Sequence, residues 1–336
     1  MDIREPFLLK PIGKDYLWGG SRLNTEFSKN IPLSPLAETW ECSTHKDGSS
    51  IIASGDNQSM LLTDYIKQHP EVMGDNILNN PDLNHEELPI LIKLIDAKSN
   101  LSVQVHPNDE YAKEHENGSL GKTEVWYVLD ATTDASLVYG FSNNVTNDIV
   151  RESVANGTLE KYLQKVQVKK DDLFFIPSGT VHAIGAGTLI AEIQENSNIT
   201  YRLYDYDRKD KNGNKRELHV EKALEVMNMN ASSLPKRRLR YTKFKSGYYS
   251  EFLCMCKYFK LDKLHFNSDL RKNFVEFTSS ERSFQTLLCT EGCGVLYFGT
   301  NFEKHIPFFR GDCIFVPANS YSFKIHGVAT FLKAIC

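Results

Sequence analysis

Residues 101–106 alternate strictly: Leu101, Val103 and Val105 take one side, and Ser102, Gln104 and His106 take the other. A period of two marks a strand with one face in a core. Pro107, Asn108 and Asp109 interrupt it. The polar, glycine-containing stretch that follows reads as a loop, leading to a second strand from Lys122 in which Lys122, Glu124 and Trp126 share a face. Similar short β patterns recur at 7–9, 37–43, 88–98, 136–141, through 166–204, and from about 240 to the end. Helical spacing is confined to about 56–85, 145–165 and 218–228. The first carries Leu61, Leu62, Tyr65 and Ile66 and stops near Pro70; the second starts at a Thr146 or Asn147 cap and breaks at Asn156 and Gly157. Residues 15–20 form a turn, and residues 207–218 form a charged turn with Asn212-Gly213 near its tip. Trp18 and Trp40 are expected in the core or a sandwich wall.

One pattern occurs twice. Residues 169–184 read KKDDLFFIPSGTVHAI and residues 310–325 read RGDCIFVPANSYSFKI. Aligned on Pro177 and Pro317, both run from Asp through an apolar strand, Pro and a small-polar turn to a strand ending in Ile, with Ser322 in the second copy where the first has His182. Many short strands closed by Gly and Pro turns fit a jelly-roll of the cupin kind. The expected fold is mainly β, with two cupin-type jelly-roll barrels and a small helical region. Residues 1–235 would form a metal-binding barrel with inserted helices, and 236–336 a degenerate barrel that has lost the ligands.

Composition narrows the partners. The 336 residues are 41% hydrophobic and 24% charged, with a net charge of −4, which gives no general attraction to polyanions. Six basic residues fall within 236–245, a run read as a solvated linker or edge strand in preference to a nucleic-acid patch. Seven cysteines lack any CxxC, and the pair at 254 and 256 lies in an alternating run, as expected for reduced core thiols. The N-terminal MDIREPF has no apolar signal region, and no stretch approaches 18 uninterrupted apolar residues. The expectation is a cytoplasmic protein without a membrane or nucleic-acid partner.

The candidate chemistry lies on the polar side of the 101–106 strand. If that strand pairs with the one from Lys122, Gln104, His106 and Glu124 converge, and oxygen and imidazole donors together suit a borderline divalent ion such as zinc. An ordinary solvated strand face competes with this reading. His182, just after a tight turn and facing back into β structure, supplies a fourth ligand. Lys93 interrupts an apolar run, and by itself reads as a snorkelling side chain. Glu38 and Glu41 are placed to approach a cavity, with no spacing argument of their own.

QVHP at 104–107, GKTE at 121–124, PSGTVHAI at 177–184 and the segment from Ile190 to Arg208 resemble the type I mannose-6-phosphate isomerases in their short bacterial form. The likeness spans nearly the whole chain, with four motifs in order. It implies one Zn2+ per chain on Gln104, His106, Glu124 and His182, a catalytic Arg202 with Glu192 ten residues before it, and Ser102 and Lys93 at the substrate phosphate. The last assignment replaces the snorkelling reading of Lys93. Two departures stand out: the long helical insertion of larger members is missing, and Asn198-Ile199 stands where those members carry Asp-Asn. The implied partner is a small-molecule sugar phosphate, and the chain is expected as a monomer or weak homo-oligomer. Aldose–ketose interconversion moves a proton through an enediol, which needs a base within roughly 3 Å of that proton and positive charge where the oxyanion develops. Glu192, Lys122 and metal-bound water are the choices for the base. Two other classes share parts of the pattern: an oxygen-activating metal cupin using His106, Glu124 and His182, and a non-catalytic sugar-phosphate binder. Metal identity separates the first, and turnover the second.

Overall fold

A computed structural model describes residues 2–210, 212–233, 240–268 and 275–336. The first part of the chain contributes β1 (Phe7–Lys10), β2 (Ile12–Lys14), β3 (Glu38–Cys42), β4 (Ile51–Ile52), β5 (Ile90–Ala97), β6 (Val103–Val105) and β7 (Glu124–Ala131). It continues with β8 (Ser136–Phe141), β9 (Leu163–Gln167), β10 (Leu173–Ile176), β11 (His182–Ile184), β12 (Thr188–Glu195) and β13 (Tyr201–Tyr204). Six of these form an antiparallel sheet in the order β10-β7-β12-β5-β3-β2, and five form another in the order β13-β6-β11-β8-β9. Trp18, Ile95, Trp126, Val128 and Ile190 on one side meet Leu137 and Ile184 on the other, closing the two sheets into a barrel around a small apolar plug.

The strands behave according to what covers each face. In β6, Val103 and Val105 face outward into a cluster with Val150 and Leu224, carried by α5 (Asn147–Ala155) and α6 (Val220–Val226). The polar side of β6 therefore faces the barrel interior, not solvent. Every residue of β5 and of β12 is buried. The outer Ile92, Leu94, Ala191 and Ile193 pack with Leu253, Phe315 and Leu332 of the C-terminal part, while Lys93 and Glu192 turn inward as a cross-strand pair. A strand buried on both faces reads as a continuous apolar run, which is why Lys93 looked like an interruption.

The remaining strands are β14 (Tyr241–Lys245), β15 (Tyr248–Met255), β16 (Lys260–Asn267), β17 (Val275–Phe277), β18 (Gln285–Phe298), β19 (Lys304–Phe309), β20 (Cys313–Val316) and β21 (Phe323–Ile335). They build a ten-stranded sheet in the order β14-β15-β16-β21-β18-β20-β1-β4, with β17 on β21 and β19 on β18. β1 and β4 come from the other end of the sequence, so this sheet crosses the division expected at residue 235. The repeated segments superpose in kind, since β10 and β20 each end at the aligned proline and a turn leads on to β11 or β21. The basic run supplies the edge strand β14 from Tyr241 onward; residues 236–239 lie outside the described part. All seven cysteines are free thiols, and no described helix is long and apolar enough to cross a membrane.

Two local readings are corrected. The strands carrying QVHP and KTE do not pair: β6 lies between β13 and β11, and β7 between β10 and β12. Their candidate ligands meet across the barrel, because the polar faces of both sheets turn inward. The stretch after Asp109 is not a loop but the helix α4 (Asp109–His115), which joins α1 (Arg22–Phe27), α2 (Leu62–Gln68) and α3 (Asp75–Leu78). Asn108 caps α4 by accepting the N–H of Tyr111 at 2.9 Å, and Asp109 and Glu110 fill its first turn. Only Ala112 of α4 is buried, so the helix left no apolar periodicity to read.

Candidate metal centre and active site

Cross-strand register brings the site together. Gln104 on β6 sits opposite His182 on β11 and Arg202 on β13. On the facing sheet, Glu124 of β7 lies opposite Gln194, and Glu192 of β12 opposite both Trp126 and Lys93. His106 follows β6, and its segment is tied down at both ends. Its carbonyl accepts the N–H of Gly179 at 2.8 Å, and the Pro107 carbonyl accepts the N–H of Lys122 at 3.0 Å. The QVHP and KTE segments touch so closely that a Cβ on Gly121 would lie 2.4 Å from the backbone of Asn108, which explains the glycine before KTE.

His106, Glu124 and His182 each turn one ligand atom to a common point, with all these atoms within 4.8 Å of one another. His106 Nε2 is 3.6 Å from Glu124 Oε2, and His182 Nε2 is 3.3 Å from Glu124 Oε1. The far side of each imidazole is fixed: Nδ1–H of His106 donates to the Ile199 carbonyl and that of His182 to the Thr180 carbonyl, both at 2.8 Å. Each ring therefore presents a bare Nε2 inward. Gln104 completes the ring with its amide nitrogen 3.4 Å from His182 Nε2, while Ser102 donates to its oxygen at 3.3 Å. Turning the amide about its last bond exchanges those atoms and presents Oε1 to the centre.

The donor set fits a divalent cation on an observation independent of the motif. His106 Nε2 and Glu124 Oε1 are buried and receive no hydrogen bond, while Glu124 Oε2 has the Lys122 ammonium beside it at 3.0 Å; the bare atoms are costly in a closed polar site and natural for metal ligands. Burial pushes both imidazoles down, His182 to about 4, so both are neutral and free to coordinate. Burial and the neighbouring Glu192 push Glu124 up to about 7; a cation at the bare atoms would reverse that.

A second ring of charge lies beside the ligands. Lys122 Nζ is 3.0 Å from Glu124 and 3.6 Å from Glu192; Lys93 Nζ is 3.7 Å from Glu192 and 3.5 Å from Glu38. Burial opposes the charge of Lys122, yet Glu124 and Glu192 hold its pKa above the ordinary lysine range. Burial likewise opposes the charge of Glu192, but Lys122, Lys93 and the indole N–H of Trp126, donated at 2.9 Å, hold it below the ordinary range. Glu38 accepts from Trp40 Nε1 at 2.8 Å, so it belongs to this interior set. Glu41 does not: it pairs with Lys29 at 2.6 Å. Arg202 enters from β13 between the outward Tyr201 and Leu203. One of its amino groups donates to the Glu217 carbonyl at 2.8 Å, and its buried Nε has no partner.

Ser102 and Lys93 are thus buried in the same barrel interior as the candidate ligands, but Ser102 is engaged with Gln104 and Lys93 with two carboxylates. Sequence reasoning missed the contributions of Trp40 and Trp126, whose indole N–H groups orient Glu38 and Glu192. It also missed Arg208 and Arg216, which clamp Asp205 beyond Arg202, Arg216 Nε donating at 2.8 Å. The YDYDR spacing was the available signal. A cleft of about 520 Å³ lined by His45, Asp47, Asn196 and Asn198 adjoins the centre through Ile199.

Known proteins resemble this chain in sequence and fold. The mannose-6-phosphate isomerase ManA of Bacillus subtilis is 37% identical over 97% of this chain and 97% of its own length. The chain belongs to the type I phosphomannose isomerase family. The family model for the type I phosphomannose isomerase catalytic domain matches residues 7–133, and these carry Gln104, His106 and Glu124. A crystal structure of the mannose 6-phosphate isomerase from Bacillus subtilis shares the fold with a TM-score of 0.86 and 32% identity, covering 98% of this chain and 99% of that one. A mannose 6-phosphate isomerase solved with zinc and yttrium bound, 17% identical, shares the fold at a TM-score of 0.72. The type I phosphomannose isomerase fold thus includes the C-terminal sheet, well beyond the matched catalytic segment.

Proposed function

We propose that this chain interconverts mannose 6-phosphate and fructose 6-phosphate, using one Zn2+ per chain held by Gln104, His106, Glu124 and His182. The observation that carries this reading is the set of bare, buried ligand atoms lying against a buried Lys–Glu array inside a barrel whose relatives are mannose-6-phosphate isomerases. Tetrahedral N/O coordination is ordinary for zinc, and the ion would supply positive charge where a sugar oxygen becomes an oxyanion.

The protein supplies the rest. Lys122 is held as an ammonium by Glu124 and Glu192, so it is fitted to stabilise negative charge and not to abstract a proton. Glu192 is held ionised by two lysines and oriented by Trp126, so it is the better base for moving the proton between adjacent carbons. Permanently charged Arg202, whose buried Nε has no partner, would neutralise the enediolate or the phosphate dianion. Lys93 contributes to the same field and is placed to meet the phosphate only by exchanging its carboxylate partners; Ser102 orients Gln104 and lies at the same wall. Residues 1–235 would carry this chemistry, with the C-terminal barrel as a buttress.

The test is a coupled assay for fructose 6-phosphate formed from mannose 6-phosphate. Turnover by the zinc-loaded protein, without oxygen uptake, is expected. No turnover by metal-replete protein sinks the isomerase reading, and oxygen consumption would point to redox chemistry at the same ligands.

A further inference from the structure

A second pair of acids lies outside the metal centre, where β12 ends. Glu195 is 2% exposed. Its Oε2 accepts the N–H of Thr123 at 2.6 Å, and its own N–H donates to the Thr123 carbonyl at 3.1 Å. Glu195 thereby grips the residue between Lys122 and Glu124. Its Oε1 is buried and receives no N–H or O–H. The group hydrogen-bonded to this carboxyl is a second carboxyl, Asp109 at the first turn of α4.

Apart from the Thr123 N–H, the nearby donors go to Asp109. Its Oδ1 accepts the N–H of Gly121 at 3.1 Å, and its Oδ2 accepts from the Tyr258 hydroxyl at 2.8 Å and lies 3.3 Å from Lys257 Nζ. Tyr258 and Lys257 belong to the turn between β15 and β16, so Asp109 ties α4 to the C-terminal sheet. Glu195 is buried and Asp109 half-buried, and two carboxyl groups can hydrogen-bond each other only with a proton between them. Burial, and then Asp109, push Glu195 up to about 9. Burial works against the charge of Asp109, but the Glu195 proton and the donors from Tyr258, Gly121 and Lys257 hold it below the usual carboxylate range. The other titratable groups facing Glu195 are Tyr258 and Cys256, both raised by burial and neutral.

We propose that Glu195 is a positioning residue that shares a proton with Asp109, and that this acid pair seats the Lys122–Glu124 segment at the metal centre and locks it to the C-terminal barrel. The kinetic consequence rests on the isomerase reading above; the shared proton does not. Glu195→Gln is the informative variant, because an amide keeps one acceptor for Thr123 and one donor for Asp109 while removing the ionisable proton. Infrared spectra of the whole protein at pH 7 are expected to show a protonated-carboxyl band that vanishes in Glu195→Gln and fades in the wild type as pH passes about 9. In the isomerase assay, Glu195→Gln should match the wild type at pH 7 and lose the wild type's decline above that pH. Glu195→Ala should lower kcat by about 10–100-fold, the usual scale for outer-sphere partners of a metal site, at unchanged KM.

Stability supplies a further readout. With a folded pKa above the ordinary value of 4.5, Glu195 keeps a proton in the native state that the unfolded chain has lost. Its contribution therefore falls as pH rises between those values. The Tm of Glu195→Gln relative to wild type should climb across that window. A wild type without the carboxyl band, or a Glu195→Gln as impaired as Glu195→Ala, would overturn the proposal. If wild type shows no turnover at all, the isomerase reading fails while the infrared band still decides the shared proton.

Discussion

Glu192 sits among three cationic or hydrogen-bonding neighbours, and each of them favours its ionised form. Lys122 lies 3.6 Å away, Lys93 3.7 Å away, and Trp126 donates to its other oxygen at 2.9 Å. A carboxylate so held is ready to accept a proton, whereas Lys122 beside it is already protonated. The two residues left as alternatives by sequence are therefore separated by environment: the same array lowers one pKa and raises the other. Replacing Glu192 by Gln keeps the shape and the Trp126 contact but removes the proposed base. It is expected to cut kcat by about 10²–10⁴-fold, the range typical of general-base loss, with little change in substrate affinity. Pre-steady-state and steady-state kinetics on the zinc-loaded variant check this. An activity within a few-fold of wild type would hand the role to another group.

Elements differ in how plainly their sequence announces them. The alternation in β6 was legible because its two faces meet different surroundings, α5 and α6 outside and the polar barrel interior inside. In β5 and β12 the alternation is present but masked, since the outer face packs on the C-terminal sheet and only Lys93, Glu192 and Gln194 betray the inner one. Helix α4 was illegible for the opposite reason, being polar nearly all round; Asn108 followed by two acids was its only mark. That cap should matter for the site as well as the helix, because the first residue of α4 is Asp109. Asn108→Ala is expected to cost about 1 kcal/mol, the usual loss for an N-cap, read as a lower midpoint in urea at unchanged slope. The choice of strand partners was out of reach of local pattern altogether. Gln104, His106 and Glu124 do converge, but from two sheets facing each other, and sequence spacing cannot distinguish neighbours within a sheet from neighbours across a barrel.

At the scale of the molecule, the N-terminal barrel is not self-contained. The outer side of its six-stranded sheet, with Ile92, Leu94, Leu129 and Ile193, shares one apolar core with Phe315, Leu332 and Leu253. In return, β1 pairs with β20 and extends the C-terminal sheet through β4. The repeat of a strand, proline and turn was readable; the exchange of N-terminal strands between the halves was not, since it depends on contacts hundreds of residues apart. A chain ending at residue 233 would expose that shared core, and it is expected to aggregate on expression while the full chain stays in solution. A monodisperse, cooperatively melting 1–233 fragment would contradict the shared core. The most direct test of the whole reading is to strip the protein of metal and titrate Zn2+ back, measuring bound zinc and isomerase turnover on the same samples of wild type and His182→Ala. Activity that rises in proportion to zinc and saturates at one ion per chain, with both lost in His182→Ala, is the expected result; full turnover by the metal-free wild type, or undiminished zinc binding without His182, would contradict it.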